Sequence, residues 1–246
     1  MFRILEKFAY RKADHIVGTM PKLDLHIKNS IKSDFNFTCI PQGIDLDFQT
    51  KSENFNIDDK LSFPTNSQFV VGYAGSMALS NALDTIIDAA IQIEKIYPEI
   101  IFCFIGSGNN KKHLQSKALN SNNIKFYDKV PKEYILSFLR KCDVLYDSVL
   151  KSNLYKYGIS RNKWADYMYS SKPIIISYSG YEDIISEIGN GFIVDPQNKE
   201  MLINKILELY KFNKNELKII GKKGYDFIIK NRNYSVISQE YIEKVF

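Results

Sequence analysis

The chain has 246 residues, 45% hydrophobic and 25% charged, a globular composition large enough for one big domain or one and a half ordinary ones. No apolar run approaches the ~20 residues that span a bilayer, and the opening "MFRILEKFAYRKADH" is broken by charges every few residues, unlike a signal peptide. The net charge is +5, and all of that surplus falls between Lys205 and Arg232, where eight Lys/Arg face three Asp/Glu. A cytoplasmic protein is therefore expected. The basic segment reads either as a solvated helix face or as a surface that approaches anionic lipid headgroups or acidic substrates. It contains no nucleic-acid reader motif, so no nucleic-acid partner is expected.

In chain order, residues 3–13 predict a helix, "HIVGT" (15–19) a strand, the residues after Met20-Pro21 a helix, and "NFTCI" (36–40) a strand running into "PQGIDLDF". Residues 1–42 are too few to bury a core of their own. Residues 43–67, rich in Asn, Asp, Ser and Lys from position 45, read as a linker with a surface loop.

From residue 68 a repeating unit takes over. Short apolar runs at 68–75, 99–108, 123–128, 143–148, 172–177 and 191–195 alternate with amphipathic stretches, including "NALDTIIDAAIQIEKIYP", "NNKKHLQSKAL", "PKEYILSFLRKC", "RNKWADYMYSS" and one near "YEDIISEI". That alternation predicts an α/β fold, a doubly wound parallel sheet of six strands covered by helices on both faces. From 198 onward the pattern is helical, over 198–211, 213–230 and 233–245, with "KNRNYS" as a break. The divisions are thus 1–42, 43–67, a Rossmann-like unit at 68–230, and a C-terminal helix at 231–246.

Cys39, Cys103 and Cys142 lie far apart in apolar surroundings and read as reduced thiols, and the three histidines are scattered, so no metal site is expected from them. Asp45-Leu46-Asp47 resembles a DxD metal clamp but precedes the sheet, away from the strand ends where such clamps work.

In doubly wound sheets ligands bind beyond the C-terminal strand ends. Three turns fall there. In "YAGSMALSNALD", Gly75 permits close backbone approach, and Ser76 and Asn81 offer neutral donors before a helix whose positive end suits phosphate; a plain helix capped by Ser80 is the other reading. In "FIGSGNNKK", Gly106 and Gly108 fit the start of a GxGxxG fingerprint, but the third glycine is Lys111 and the turn follows the second strand of the unit. It reads as a tight turn, either facing a ligand or purely structural. "YGISRNKWADYM" (157–168) carries the strongest signal. Its stretch from Gly158 through Ile159, Ser160, Arg161, Asn162 and Lys163 to Asp166 offers cations for phosphate and a carboxylate suited to a vicinal diol such as ribose. Its alternative is an exposed helix face with an i,i+3 Lys163–Asp166 pair.

These residues resemble, in order along nearly the whole chain, the nucleotide-sugar-dependent glycosyltransferases of family four (group one), which have the two-Rossmann-domain GT-B fold. "EKFAYRKADHIVGTMPKLDLHI" resembles the end of the acceptor domain and "IPQGIDLDF" the interdomain linker, which accounts for the DxD. "VVGYAGSMALSNALDTIIDAA", "FCFIGSGNNKKHL", "VPKEYILSFLRKCDV" and "SGYEDIISEIGNGFIVDP" resemble successive pieces of the donor domain. "YGISRNKWADYMYSSKPII" resembles "YG-x-SPNK-x-x-DYM-x-x-x-KPI", a variant common among transferases that build bacterial surface polysaccharides such as lipopolysaccharide. The family's two glutamates, with seven residues between them, fall at Gly158 and Asp166, so the sugar-contacting carboxylate is absent and the ribose contact is retained as Asp. The family's diphosphate-binding Arg and Lys fall at Ser76 and Asn81, leaving Arg161 and Lys163 as replacements.

The resemblance implies a retaining transferase that moves a sugar from a nucleoside diphosphate sugar to a glycan or lipid-linked acceptor, with no metal and no cofactor, in peripheral contact with the inner membrane. Residues 1–42 match only the end of an acceptor domain, which implies either a fragment or one piece of a split gene, or a chain that works with a separate acceptor-domain protein as partner. A non-catalytic nucleotide-sugar-binding subunit is the alternative, and an NAD-binding oxidoreductase half a third, disfavoured by Lys111.

Overall fold

The computed structural model describes residues 2–65, 67–181 and 184–246. The N-terminal segment comprises α1 (Phe2–Lys12), β1 (Ile16–Gly18), α2 (Leu23–Ile31) and β2 (Phe37–Cys39), with β1 and β2 pairing in parallel. Its core is small: Ile27 and Ile31 on one face of α2 meet Ile16, with Tyr10, Leu23, Phe35 and Phe37 around them.

The expected linker is more than a linker. It forms α3 (Leu46–Ser52) and a 3-10 turn (Ile57–Asp59), and Ile44 and Ile57 are buried in the main core. The amide of Ile57 donates to Ser137 Oγ at 2.9 Å. Asp45 caps α3, accepting from the amide of Phe48 at 3.0 Å, which gives the DxD-like pair a local role.

The main unit then runs β3 (Phe69–Ala74), α4 (Asp84–Glu94), β4 (Ile100–Ile105), α5 (Lys111–Lys117), β5 (Ile124–Tyr127), α6 (Ile135–Lys141), β6 (Val144–Ser148), α7 (Asn162–Tyr169), β7 (Ile174–Ser177), α8 (Ile184–Glu187), β8 (Gly191–Val194), α9 (Lys199–Tyr210) and α10 (Lys214–Asn231). Of the helix expected near "YEDIISEI", Glu182 and Asp183 lie outside the described residues. All strand pairs are parallel, in the order β5-β4-β3-β6-β7-β8. The chain starts mid-sheet, winds outward to β5, then returns past β3 to build the other half, so the order reverses between β3 and β6 and opens a crevice at their C-terminal ends.

Both faces of the sheet are buried, which explains why its strands read as continuous apolar runs. Along β3 and β4, Val71, Tyr73, Phe102 and Phe104 enter one core with α4 and α9, while Val70, Ala74, Ile101 and Cys103 enter the other with α6, α7 and α10. This period of two places Asp147 of β6 on the α7 side, with Leu145. Finally α11 (Tyr234–Val245) returns to the N-terminal segment: the Ile44 amide donates to the Arg232 carbonyl at 2.9 Å and the Tyr234 amide to the Ile44 carbonyl at 3.1 Å.

Candidate functional site

The turns after β3 and β4 stack on each other. The amide of Gly75 donates to the Ile105 carbonyl at 3.0 Å, that of Met77 to the Ser107 carbonyl at 2.8 Å, and that of Asn110 to the Met77 carbonyl at 3.0 Å. Both glycines at the crossing have positive φ, Gly75 at 149° and Gly106 at 142°. A Cβ on Gly106 would lie 2.0 Å from the Gly75 carbonyl oxygen, so the pair is obligatory for the stacking. Among the described residues, the amides of Ser76, Ser107 and Gly108 engage no acceptor within the chain. Lys111, where a dinucleotide fingerprint has its third glycine, donates from Nζ to the carbonyls of Gly106 (3.1 Å) and Tyr127 (2.8 Å) and ties two strand ends together.

Beside these turns lies a cleft of about 580 Å³ at the sheet's C-terminal edge. Gly75, Ser76, Gly106 and Gly108 form one wall, and Asn162, Lys163 and Asp166, on the first turns of α7, form the floor. Val130 and Ile135 give it an apolar side, and Lys129 and Lys132 stand at its rim.

The remaining residues of the 157–168 stretch go elsewhere. Ile159, Ser160 and Arg161 line a separate cavity of about 250 Å³ against Pro21 and Gln42 of the N-terminal segment. Gly158, at φ 91°, sits under Pro21, whose Cδ would be 2.5 Å from an added Cβ. Asn81 is buried and structural: its Nδ2 donates to the Ser76 carbonyl at 2.7 Å and its Oδ1 accepts from Arg161 Nη2 at 2.7 Å. Ser80 is not a helix cap, since α4 begins at Asp84.

The reading of "RNKWADYM" as an exposed charged face does not hold, because Trp164, Ala165, Tyr167 and Met168 are buried. Nor do Lys163 and Asp166 pair. Asp166 accepts from Gln49 Nε2 of α3 at 2.8 Å. Burial raises its carboxyl pKa above the ordinary value, with Lys132 and the Gln49 hydrogen bond opposing.

Both cations of the stretch converge instead on Asp147, which is 1% exposed at the end of β6. Arg161 grips it bidentately, Nε to Oδ2 and Nη2 to Oδ1, both at 2.8 Å. Trp164 Nε1 donates to Oδ2 at 2.8 Å, and Lys163 Nζ lies 3.1 Å from Oδ1. Burial alone would raise the Asp147 pKa, but Lys163 and Arg161 outweigh it and hold the carboxyl low. Lys163 Nζ also donates to the Tyr73 hydroxyl at 2.9 Å, and that hydroxyl donates to the Ser76 carbonyl at 2.6 Å. Burial lowers the Lys163 pKa, with Asp147 opposing. One carboxylate thus serves two cations, and Asp166 sets a second carboxylate one helical turn from Lys163 on the cleft floor. Sequence reasoning missed Asp147, Tyr73, Gln49 and the rim lysines. The available signal for Asp147 was a carboxylate at an inward position of a strand, where burial demands a cationic partner.

Against known proteins, the family model described as "Glycosyl transferases group 1" matches residues 54–227. The chain belongs to this family. A relative named alpha-monoglucosyldiacylglycerol synthase, from Acholeplasma laidlawii, is 28% identical over 206 residues, covering 78% of this chain and 49% of its own. Among solved structures, Anabaena HepE in complex with UDP and glucose superposes with a TM-score of 0.75 at 15% identity, over 99% of this chain and 66% of that one. Staphylococcus aureus TarM, in a complex that includes UDP, gives 0.72 at 17% identity, over 97% and 45%. These two likenesses concern the fold. This group 1 glycosyltransferase chain therefore spans about half the length of the curated relative it matches.

Proposed function

We propose that this chain is the nucleotide-sugar-binding half of a glycosyltransferase. The observation that carries the reading is the cleft at the sheet's C-terminal edge. It combines a lysine on its floor and two at its rim, open amides on a tight double turn and a carboxylate one helical turn from the inner lysine, in a member of the group 1 family. In this reading the diphosphate lies over the amides of Ser76, Ser107 and Gly108 with Lys163 beneath it, where preorganised donors stabilise the leaving group. Asp166 accepts hydrogen bonds from the ribose, and Val130 and Ile135 supply an apolar surface for the base. Arg161 acts one step back, holding Asp147 and hence Lys163 in place. The transfer is of the retaining type, without metal or cofactor, to a glycan or lipid-linked acceptor in bacterial surface polysaccharide assembly, at the cytoplasmic face of the membrane. The lipid-linked option draws on the relative named for making a glucosyldiacylglycerol.

Gly158 favours a second reading. The position matching the family's sugar-contacting carboxylate is packed under Pro21, which suits a nucleotide-sugar-binding subunit that turns over only with a separate acceptor-domain protein.

Calorimetric titration with UDP, GDP and NAD tests the binding reading. UDP or GDP should bind and NAD should not. Lys163→Ala should weaken diphosphate binding at least about tenfold, the equivalent of one charge-assisted hydrogen bond, whereas Asp166→Ala should also weaken uridine or guanosine without the diphosphate. Unchanged affinity in both variants overturns the assignment of the cleft. Release of UDP or GDP from donor sugars, measured with and without a co-expressed acceptor half, separates transferase from binding subunit.

A further inference from the structure

The opposite end of the sheet carries a second hollow, unrelated to the cleft. It occupies about 550 Å³ where β3, β6 and β7 begin. Its charged lining is Arg140, Lys141, Lys172, Lys214 and Lys218 against a single acid among the described residues, Asp143.

Packing fixes the backbone that carries these lysines. A Cβ on Gly221 of α10 would meet the Ser171 carbonyl oxygen at 2.0 Å and the Lys172 amide at 2.8 Å, so the helix backbone lies against this turn. Lys214, Lys218 and Gly221 recur at i, i+4 and i+7 and share one stripe of α10. The stripe that touches the turn therefore also presents two ammonium groups beside Lys172. Asn190 fastens the arrangement, its Nδ2 donating to the Lys172 carbonyl at 3.0 Å and reaching the Ile220 carbonyl at 3.5 Å.

The charges are unevenly compensated. Arg140 pairs with Glu53 at 2.7 Å, and Lys141 pairs with Asp58. Asp143 is turned toward β3, its Oδ2 accepting from the Val70 amide at 2.8 Å. Lys172, Lys214 and Lys218 have no carboxylate within 4 Å among the described residues. Two other lysines of the basic segment are paired, Lys205 with Glu208 at 2.6 Å and Lys222 with Asp226 at 2.7 Å. The half-buried ammonium of Lys172 has its pKa lowered by burial, opposed by Cys142 and Asp143 and reinforced by Lys214 and Arg140.

We propose that this hollow is a second anion site, which takes a phosphate-bearing ligand between Lys172, Lys214 and Lys218. Three converging ammonium groups match a phosphate group, whose several oxygens and charge of about −2 can serve them together. The site lies at the far edge of the sheet from the cleft, so its occupant is not the sugar donor, and the inference is independent of the function proposed above. A soluble phosphorylated compound and a phospholipid headgroup share the required chemistry.

Pyrophosphate titrated into the full chain tests the site, using the wild type, Lys163→Ala and Lys214→Glu/Lys218→Glu. Pyrophosphate binding should survive Lys163→Ala, and adding the double charge reversal to Lys163→Ala should weaken what remains at least about tenfold, one charge-assisted hydrogen bond or more. Both reversed lysines are solvent-exposed, so the double variant should keep the wild-type melting temperature; Lys172→Met tests the inner lysine with its apolar stem retained. Sedimentation with phosphatidylglycerol or phosphatidylcholine vesicles identifies the source. Binding to phosphatidylglycerol alone, lost on charge reversal, assigns a lipid headgroup, and pyrophosphate binding without vesicle binding assigns a soluble ligand. The proposal is overturned if Lys163→Ala abolishes pyrophosphate binding and no vesicles are bound, or if charge reversal leaves all binding unchanged.

Discussion

At the end of β6, Asp147 receives Arg161, Trp164 and Lys163 in a fully buried position. The cations are conspicuous in the sequence, but a list of charges does not say which acid they share. Fourteen and sixteen residues separate the partners, and only the return of the chain from β6 into α7 makes them neighbours. Asp147→Asn should destabilise the protein by about 3–5 kcal/mol, as expected when one partner of a buried ionic cluster is removed. Because its folded pKa is lowered, Asp147 contributes its full stabilisation above the unfolded value of about 3.9 and loses it as the pH falls through the folded value. Urea unfolding of both proteins should therefore show a wide stability gap at pH 7 that closes below about pH 4.

The turns after β3 and β4 illustrate how a correct element can have an unexpected cause. Glycines at those strand ends are legible as tight turns, yet whether they face a ligand or only fold the chain stays open in one dimension. In three dimensions Gly106 is required because the Gly75 carbonyl passes where its Cβ would be, and the same crossing leaves the Ser76, Ser107 and Gly108 amides open to the cleft. Gly106→Ala combines that clash with positive-φ strain of about 1–3 kcal/mol. It should lower the urea midpoint and, in the proposed donor site, nucleotide affinity as well. The 43–67 stretch reads as a linker because its composition is polar, yet Ile44 and Ile57 are buried in the core.

For the molecule as a whole, the N-terminal segment is held by the main α/β unit at several separate points. The Lys22 amide donates to the Tyr157 carbonyl at 2.9 Å, the Gln42 amide to Ser160 Oγ at 3.3 Å, and α11 returns to Ile44. Gly158 lies at one of these contacts, under Pro21. Gly158→Glu, which would supply the carboxylate that the family pattern places there, should lower the melting temperature by at least roughly 2–4 °C per kcal/mol lost and should not tighten sugar-nucleotide binding. Differential scanning calorimetry with and without UDP-sugar reads both effects; a stable variant with improved affinity would show that Pro21 yields.

Alternating apolar runs and amphipathic stretches by themselves determined the parallel α/β sheet and its six strands, because periodicity and burial on both faces are local properties of the chain. The motif order determined the family. Tertiary structure alone decided that Arg161 and Lys163 share Asp147, that Asp166 answers to Gln49, that Gly158 belongs to packing, and that Lys214 and Lys218 gather beside Lys172. Each of these is a meeting of residues on different elements, set by how helices seat against the sheet and against one another, and no spacing within a single element encodes it.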